Sequence, residues 1–483
     1  MNSPLWLVDR SRIADGRGFC QRARLLNYHI GPTGLGIARK GTKLPLVTGT
    51  GVHDGLAPIL TWCQQVSAPP PPGWQVPDDV VRDAVARAQE AYQQTIAARG
   101  FGYLGETEES QAVTREQCYL VAGLIWAWTL EVLPEVLRRG RIVEVEHDDV
   151  YVVGCTCGLG SGIGTQQDHE ARGCDGVGLM CRPDFLVETW DTHELEYHEF
   201  KTTGADMPTF RDKWEVMIQM FAATLDAERR LGKHVQSIYI HGLIKGKRQG
   251  EYNPETKRYD GAPVQQSLFC YGYRKPGNPP MEVEDWQAQY EYLDPVDGKV
   301  RRLPRVYRKT GVWELPEEML PAGMDRSEYW LKVNPPEVRR KALVILGPFT
   351  RQTQMVEHFL EEMVAEEGRW RSGLWELYDL GVEILADHGD PQADLWWSVV
   401  WPNSRFQSLL NELFPRSYEC RRYGARMACQ FEGPCLGHEG ADNPMATGLY
   451  IDRRPHHEAE LVQAIERGLR LPDEGVAETE EEI

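Results

Sequence analysis

A chain of 483 residues, 41% of them hydrophobic, is long enough to bury one elaborated core or two. Its formal net charge of −19 argues against a uniformly basic, nucleic-acid-coating surface, and Met1-Asn2-Ser3-Pro4-Leu5-Trp6 lacks the basic-then-apolar layout of a secretory leader. No segment reads as long enough to span a bilayer, so the eleven cysteines are expected to be thiols and metal ligands of an intracellular, cytoplasmic protein with no membrane partner.

In chain order, a proline run from Pro69 to Pro72 ends the first segment, which contains Gly51-Val52-His53. Apolar spacing then predicts helices over Asp78 to Arg99 and Thr107 to Arg139, a helical insert covering residues 78–139. Arg141 to Val153 reads as one strand with Glu144 and Glu146 on a single face, either an exposed pair or an auxiliary acidic group of a site. A glycine- and cysteine-rich insert, 154–179, precedes two strands, Arg182 to Glu188 and Tyr197 to Thr203, joined through the turn-forming stretch Thr189 to His193. Lys213 to Leu231 reads as a helix, and His234 to Ile244 and Gln265 to Tyr273 as strands, with turn-rich loops at Gly250 to Pro263 and Pro276 to Pro280.

The expected fold is α/β, a mixed central sheet flanked by helices, with the core in residues 1–275. A basic loop region, 276–314, follows. From about residue 315 to 440 the pattern is helical and tryptophan-rich, as in Gln352 to Glu367 and Leu395 to Leu413, and ends in a cysteine cluster. An acidic tail expected to be disordered, 441–483, closes the chain. No internal repeat is present, and Gly36-x-x-x-x-Gly41-Thr42-Lys43 has Thr and Lys in the wrong order for a phosphate loop, so no helicase motor is encoded.

The acidic balance is uneven. Residues 201–312 carry 19 Lys plus Arg against 14 Asp plus Glu, whereas 441–483 carry 4 against 11. Lys245, Lys247 and Arg248, with Arg301, Arg302, Arg305, Arg308 and Lys309, are candidate phosphate contacts, and each is equally compatible with an ordinary solvated surface.

The residues that carry chemistry lie on the two adjacent strands. Asp184 opens the first, and Glu199 and Lys201 share a face of the second with Phe200 on the other, so two carboxylates and an ammonium can converge. Hard oxygen ligands suit Mg2+ or Mn2+, and a neighbouring lysine can orient an attacking water or offset charge developing on a phosphate. The same residues can equally form a solvated sheet face with cross-strand ion pairs. In the preceding insert, Cys155, Cys157, Cys174 and either His169 or Cys181 could make a structural zinc site, although strand parity turns Cys181 away from the Asp184 side. Cys63, Cys118 and Cys270 read as core residues.

Pro183-Asp184 with Glu199-x-Lys201 resembles the PD-(D/E)xK nuclease superfamily. Gly51-Val52-His53, and Gln219 on the helix after the lysine strand, narrow the resemblance to its RecB-like branch, which includes AddB-type, CRISPR-adaptation and phage-encoded nucleases. The family's tyrosine four residues after the glutamine is Ala223 here. The resemblance implies a restriction-endonuclease-like core, with His53, Asp184, Glu199 and the Phe200 carbonyl holding the divalent metal, Lys201 assisting water, and Gln219 positioning substrate or the lysine. Cys20 with Cys420, Cys429 and Cys435 is similar to the branch's four-iron (4Fe–4S) staple of the chain ends, for which zinc is the alternative metal. The implied activity is a DNA nuclease, an exonuclease on DNA with single-stranded ends, in recombination, repair or phage DNA processing, with a recombination or helicase partner left open. A noncatalytic, metal-stapled DNA-binding or scaffold protein, and an enzyme acting on RNA, are the other readings.

Overall fold

The computed structural model of the protein describes residues 5–9, 11–13, 20–39, 44–98, 108–203, 210, 218–245, 248–253, 258–265, 291–293, 300–302, 327–328, 331, 336–351, 353–389, 395–417, 429–436, 440, 442–453 and 457–466. Strand β1 (Trp6–Val8), helix α1 (Gln21–Tyr28) and β2 (Ile37–Arg39) lead into three long helices, α2 (Leu44–Cys63), α3 (Asp78–Ala98) and α4 (Glu108–Glu131), followed by the short α5 (Leu133–Arg139). Next come β3 (Gly140–Val145), β4 (Asp149–Val153), α6 (Gln166–Ala171), β5 (Val177–Cys181), β6 (Phe185–Thr189), β7 (Leu195–Thr203), α7 (Ile218–Leu231) and β8 (Val235–Ile244). Two antiparallel pairs, β9 (Arg248–Asn253) with β10 (Arg258–Gln265) and β11 (Glu291–Leu293) with β12 (Val300–Arg302), precede β13 (Leu343–Phe349) and the 35-residue α8 (Thr353–Asp387). A π-helical turn at Trp396–Val400, α9 (Ser404–Leu413), α10 (Glu432–Leu436), β14 (Tyr450–Asp452) and α11 (Glu458–Glu466) complete the order.

The result is a mixed α/β architecture. A five-stranded sheet runs β13-β8-β7-β6-β3, with β7 parallel to β8 and every other neighbour antiparallel. A second sheet runs β1-β5-β4. Strand alternation sorts the central sheet's side chains into two cores. Phe185, Val187, Phe200 and Leu243 pack under α2, α3 and α4 with Trp126 and Trp128, while Leu186, Tyr197, Ile238 and Ile240 face Ala227 of α7 and Phe359 and Met363 of α8. A third core joins α1 to α8, the π-helical turn and α9 around Trp370, Leu377, Trp401 and Phe406.

Several elements depart from the pattern read in the sequence. Thr107 to Arg139 is not one helix: Pro134, in the first turn of α5, breaks the ladder after Val132. Gln117–Arg139 does satisfy the length and composition of a membrane span, contrary to expectation, but 72% of its apolar window is buried inside the fold, where α4 and α5 contribute to the first core. Arg141 to Val153 is two strands in two sheets, broken where Glu146 takes a left-handed φ of 44°. Gly250 to Pro263, expected to be a loop, lies in part in the antiparallel β9–β10 pair, with residues 254–257 outside the described residues. The region after 315 contains β13, which completes an edge of the central sheet. Leu395 to Leu413 is interrupted at Pro402, where Asn403 caps α9 by accepting from the amides of Arg405 and Phe406. The acidic tail is not uniformly disordered: β14 pairs antiparallel with β2, and α11 follows it. Cys63 and Cys118 are buried in the first core, as expected, whereas Cys270 and the expected strand beyond Gln265 lie outside the described residues.

Candidate functional site

Asp184 closes the short connection from β5 to β6. Its Oδ2 accepts a short hydrogen bond from the amide of Phe200 on β7, while Oδ1 lies 3.2 Å from Nδ1 of His53 on α2. The edge of the His53 ring meets the Phe200 ring at a centroid distance of 5.8 Å. A strand residue sends its N–H and C=O to the same edge, so the Phe200 carbonyl faces the edge on which Asp184 lies. Glu146 joins this group from the break after β3: its amide donates to the Asp184 carbonyl at 3.0 Å, and its carboxylate comes within 3.8 Å of His53 Nδ1. One donor atom each from His53, Glu146 and Asp184 lies within 4.8 Å of the others.

Glu199 and Lys201 emerge on the opposite face of β7 from Phe200. Lys201 Nζ donates a short bond to Glu199 Oε1, and the Tyr197 hydroxyl donates to Glu199 Oε2 at 3.2 Å. Glu199 and Lys201 border one cavity of about 210 Å³ together with His53, Arg182, Asp184 and His457, among others.

Electrostatics tie the first group together. Burial would depress the His53 imidazolium, yet the Asp184 carboxylate outweighs it and raises the pKa to about 10. Burial likewise opposes ionisation of Asp184, but His53, Lys201 and the Phe200 amide bring it down to about 2. The adjacent Asp54 carboxyl is pushed up by burial and by the charge of Glu146. His53 and Asp184 therefore form an imidazolium–carboxylate pair.

A second cluster fills the insert between β4 and β5. Cys155 Sγ lies 3.1 Å from Cys157 Sγ and 3.7 Å from Cys174 Sγ, and His169 Nδ1 approaches Cys155 and Cys157 at 3.3 and 3.4 Å. The four donor atoms lie within 4.8 Å of one another and could hold a metal ion. His169 comes from α6, whose first turn is closed by reciprocal bonds between Thr165 and Asp168. Burial raises the Cys155 thiol, but hydrogen bonding from Cys157 and nearby backbone amides outweighs it and lowers the pKa to about 7. Of the two alternatives for the fourth ligand, the geometry brings in His169. Cys181 is buried in the second core against the Leu179 carbonyl at 3.4 Å.

The remaining sequence candidates separate. Cys20, Cys429 and Cys435 share the third core, while Cys420 lies outside the described residues. Gln219 is the second residue of α7, and its side chain is outside the described residues. Lys245 is buried at the end of β8, its amide donating to the Thr203 carbonyl, and is not displayed for phosphate contact. Arg301 and Arg302 pair with Tyr292 and Glu291 in the β11–β12 ladder, with their side chains outside the described residues, as are the side chain of Arg248 and all of Lys247, Arg305, Arg308 and Lys309. Glu144 turns away from the site to bind Arg230, so of the two glutamates on the predicted single strand only Glu146 joins His53 and Asp184. The run Glu146-His147-Asp148-Asp149 was the available signal, since four polar residues in succession break an apolar alternation. The chain matches no protein-family model and no curated protein.

Proposed function

We propose that the protein is a divalent-metal-dependent DNA nuclease with an exonuclease mode of action. The observation that carries this reading is the meeting of His53 and Asp184 with the Glu199–Lys201 pair around one cavity, with Glu146 grouped beside His53 and Asp184. The order α2, then β3, β6 and β7 as an antiparallel meander, then α7 and the parallel β8 supports a restriction-endonuclease-like core.

The donor set is hard oxygen with one imidazole, which fits Mg2+ or Mn2+. His53, Glu146, Asp184, Glu199 and the Phe200 carbonyl would hold the ion. When bound, it supplies Lewis-acid polarisation of a phosphate oxygen and a more acidic water. Lys201, which donates to Glu199, would hold a proton at Nζ for the attacking water and offset charge on the scissile phosphate. Tyr197 fixes the second oxygen of Glu199 and so limits its rotation.

For the second metal, Cys20, Cys429 and Cys435 with Cys420 are read as a 4Fe–4S staple. Among the described residues these three sulfurs do not gather within 4.8 Å of one another as the Cys155 group does. A single tetrahedral zinc would space its sulfurs about 3.8 Å apart, given Zn–S bonds of about 2.3 Å.

The test is digestion of end-labelled linear DNA with single-stranded ends, and of covalently closed circular duplex, in Mg2+ or Mn2+. Linear DNA should be degraded, the closed circle spared, and Lys201→Ala should fall by about 10²–10³-fold while DNA binding persists. Metal-dependent binding without any cleavage would favour the scaffold reading, and cleavage confined to RNA would replace the substrate.

A further inference from the structure

We propose that Cys155, Cys157, His169 and Cys174 bind one zinc ion, and that the zinc-closed insert is the dock for the C-terminal helix α11, whose preceding residue His457 lines the cavity. The claim is independent of what the cavity hydrolyses.

Three thiols and one imidazole make a Cys₃His set, and four protein ligands leave no open position, as in a structural site. The observed sulfur separations of 3.1 and 3.7 Å bracket a spacing slightly tighter than the ~3.8 Å of tetrahedral zinc. His169 Nε2 lies 2.6 Å from the Ile163 carbonyl, an oxygen that can only accept, so Nε2 carries the hydrogen and Nδ1 presents its lone pair to the thiols. The tautomer needed for a ligand is thus fixed by the fold. A glycine-rich insert with left-handed Gly154, Gly158, Gly160, Gly162 and Gly164 has little apolar surface to order it. A metal supplies what packing does not.

The insert is also a junction. Glu170, next to ligand His169, accepts from Gln463 Nε2 of α11 at 2.5 Å, and Gln463 bonds the Leu5 carbonyl as well. At the other end of that helix, Asp148 accepts from the Glu458 amide and meets His457 Nδ1, both at 2.9 Å. His457 lines the cavity with Asp184 and Lys201. One end of α11 is therefore held by the insert and the other adjoins the cavity through His457. Arg229 of α7, bonded to the Gly164 carbonyl at 3.1 Å, and Arg371 of α8, bonded to Asp175 at 2.9 Å, brace the insert from the sheet side.

The experiment uses the full chain purified without oxygen. Elemental analysis should find a zinc that disappears, one per chain, in the Cys155→Ser/Cys157→Ser double variant. Hydrogen exchange should then accelerate at least tenfold in both 155–174 and 458–466, while β6 and β7 keep their protection. Gln463→Leu addresses the dock separately: it should retain the zinc and leave 155–174 protected, yet open 458–466 at least tenfold faster. This arm stands even where the cysteine variant fails to fold. Zinc content equal in wild type and the double variant, or iron in its place, would overturn the site. Unchanged exchange of 458–466 in Gln463→Leu would overturn the dock.

Discussion

The backbone N–H of Glu146 donates to the carbonyl of Asp184 at 3.0 Å, so the two carboxylates nearest His53 are fixed to one another through the main chain. Glu146 adopts a φ of 44° to do so, a left-handed conformation that costs a side-chain-bearing residue about 1 kcal/mol. Local strain is the cost of turning a strand residue into the site. Glu146→Gly should relieve the strain, with only a small net change in melting temperature, because glycine also loosens the unfolded chain. The same change should weaken Mn2+ binding by about 10- to 100-fold. Equal metal affinity in wild type and Glu146→Gly, measured calorimetrically, would remove Glu146 from the ligand set.

How much of this was legible in the sequence differs between elements for physical reasons. Strand alternation alone placed Glu199 and Lys201 on one face and Phe200 on the other, which is how the side chains lie. The Cys155, Cys157, His169 and Cys174 set was also readable, since closely spaced ligands in a glycine-rich segment have few other partners. Glu146 was named only as one of a pair, because a single left-handed residue reverses a strand's direction without leaving a compositional mark. The strand Leu343–Phe349 was hidden in a helix-rich stretch, since its place at a sheet edge is decided by the distant β8 rather than by its neighbours in sequence.

The His53–Asp184 pair sets a proton balance for metal binding. A folded-state pKa raised to about 10 means that this pair's stabilisation is complete below the ordinary histidine value of 6.5 and is lost as pH rises through about 10. A metal ligand must be neutral imidazole, so the ion has to displace that proton. At pH 8, Mn2+ binding should release about one proton, read from calorimetry in buffers of different ionisation enthalpy, and apparent affinity should climb about tenfold per pH unit. His53→Ala should bind more weakly and release none. Proton-neutral binding by the wild type would show that His53 stays outside the coordination shell.

Glu188 makes a prediction of opposite sign at the other end of β6. Burial raises its pKa, but Lys233 at 2.5 Å and Arg141 at 2.7 Å prevail and lower it to about 2. A depressed carboxylate stabilises the fold above its ordinary value of 4.5 and loses that contribution as pH falls towards about 2. Because Arg141 and Lys233 are partly exposed, solvent screening limits the effect to about 1 kcal/mol. Denaturant titrations of wild type and Glu188→Gln should differ at pH 7 by that amount and converge near pH 2. A constant gap across the range would assign the loss to packing rather than charge.

The third core bears on the iron–sulfur reading. Cys20 and Cys435 are buried together beside Trp370, Trp401 and Phe406, although nearly the whole chain separates them. Burial lifts the Cys435 thiol to about 12, with Arg22 only partly opposing it, so an unligated sulfur there is protonated and inert at neutral pH. Ligation would replace that proton and close a loop of almost the full chain length, a cross-link worth about 6 kcal/mol on chain-entropy grounds before any strain is subtracted. Protein purified anaerobically should therefore be brown, with about four iron and four acid-labile sulfide per chain. Cys435→Ser should bleach it and lower the melting temperature, whereas Cys63→Ser, in the first core, should leave the colour unchanged. Colourless protein carrying one zinc that is lost with Cys435 would make the staple a zinc site, and colourless protein with no metal at Cys435 would leave the N- and C-terminal segments joined by the third core, the β2–β14 ladder and polar contacts such as Arg22 to the Phe414 carbonyl.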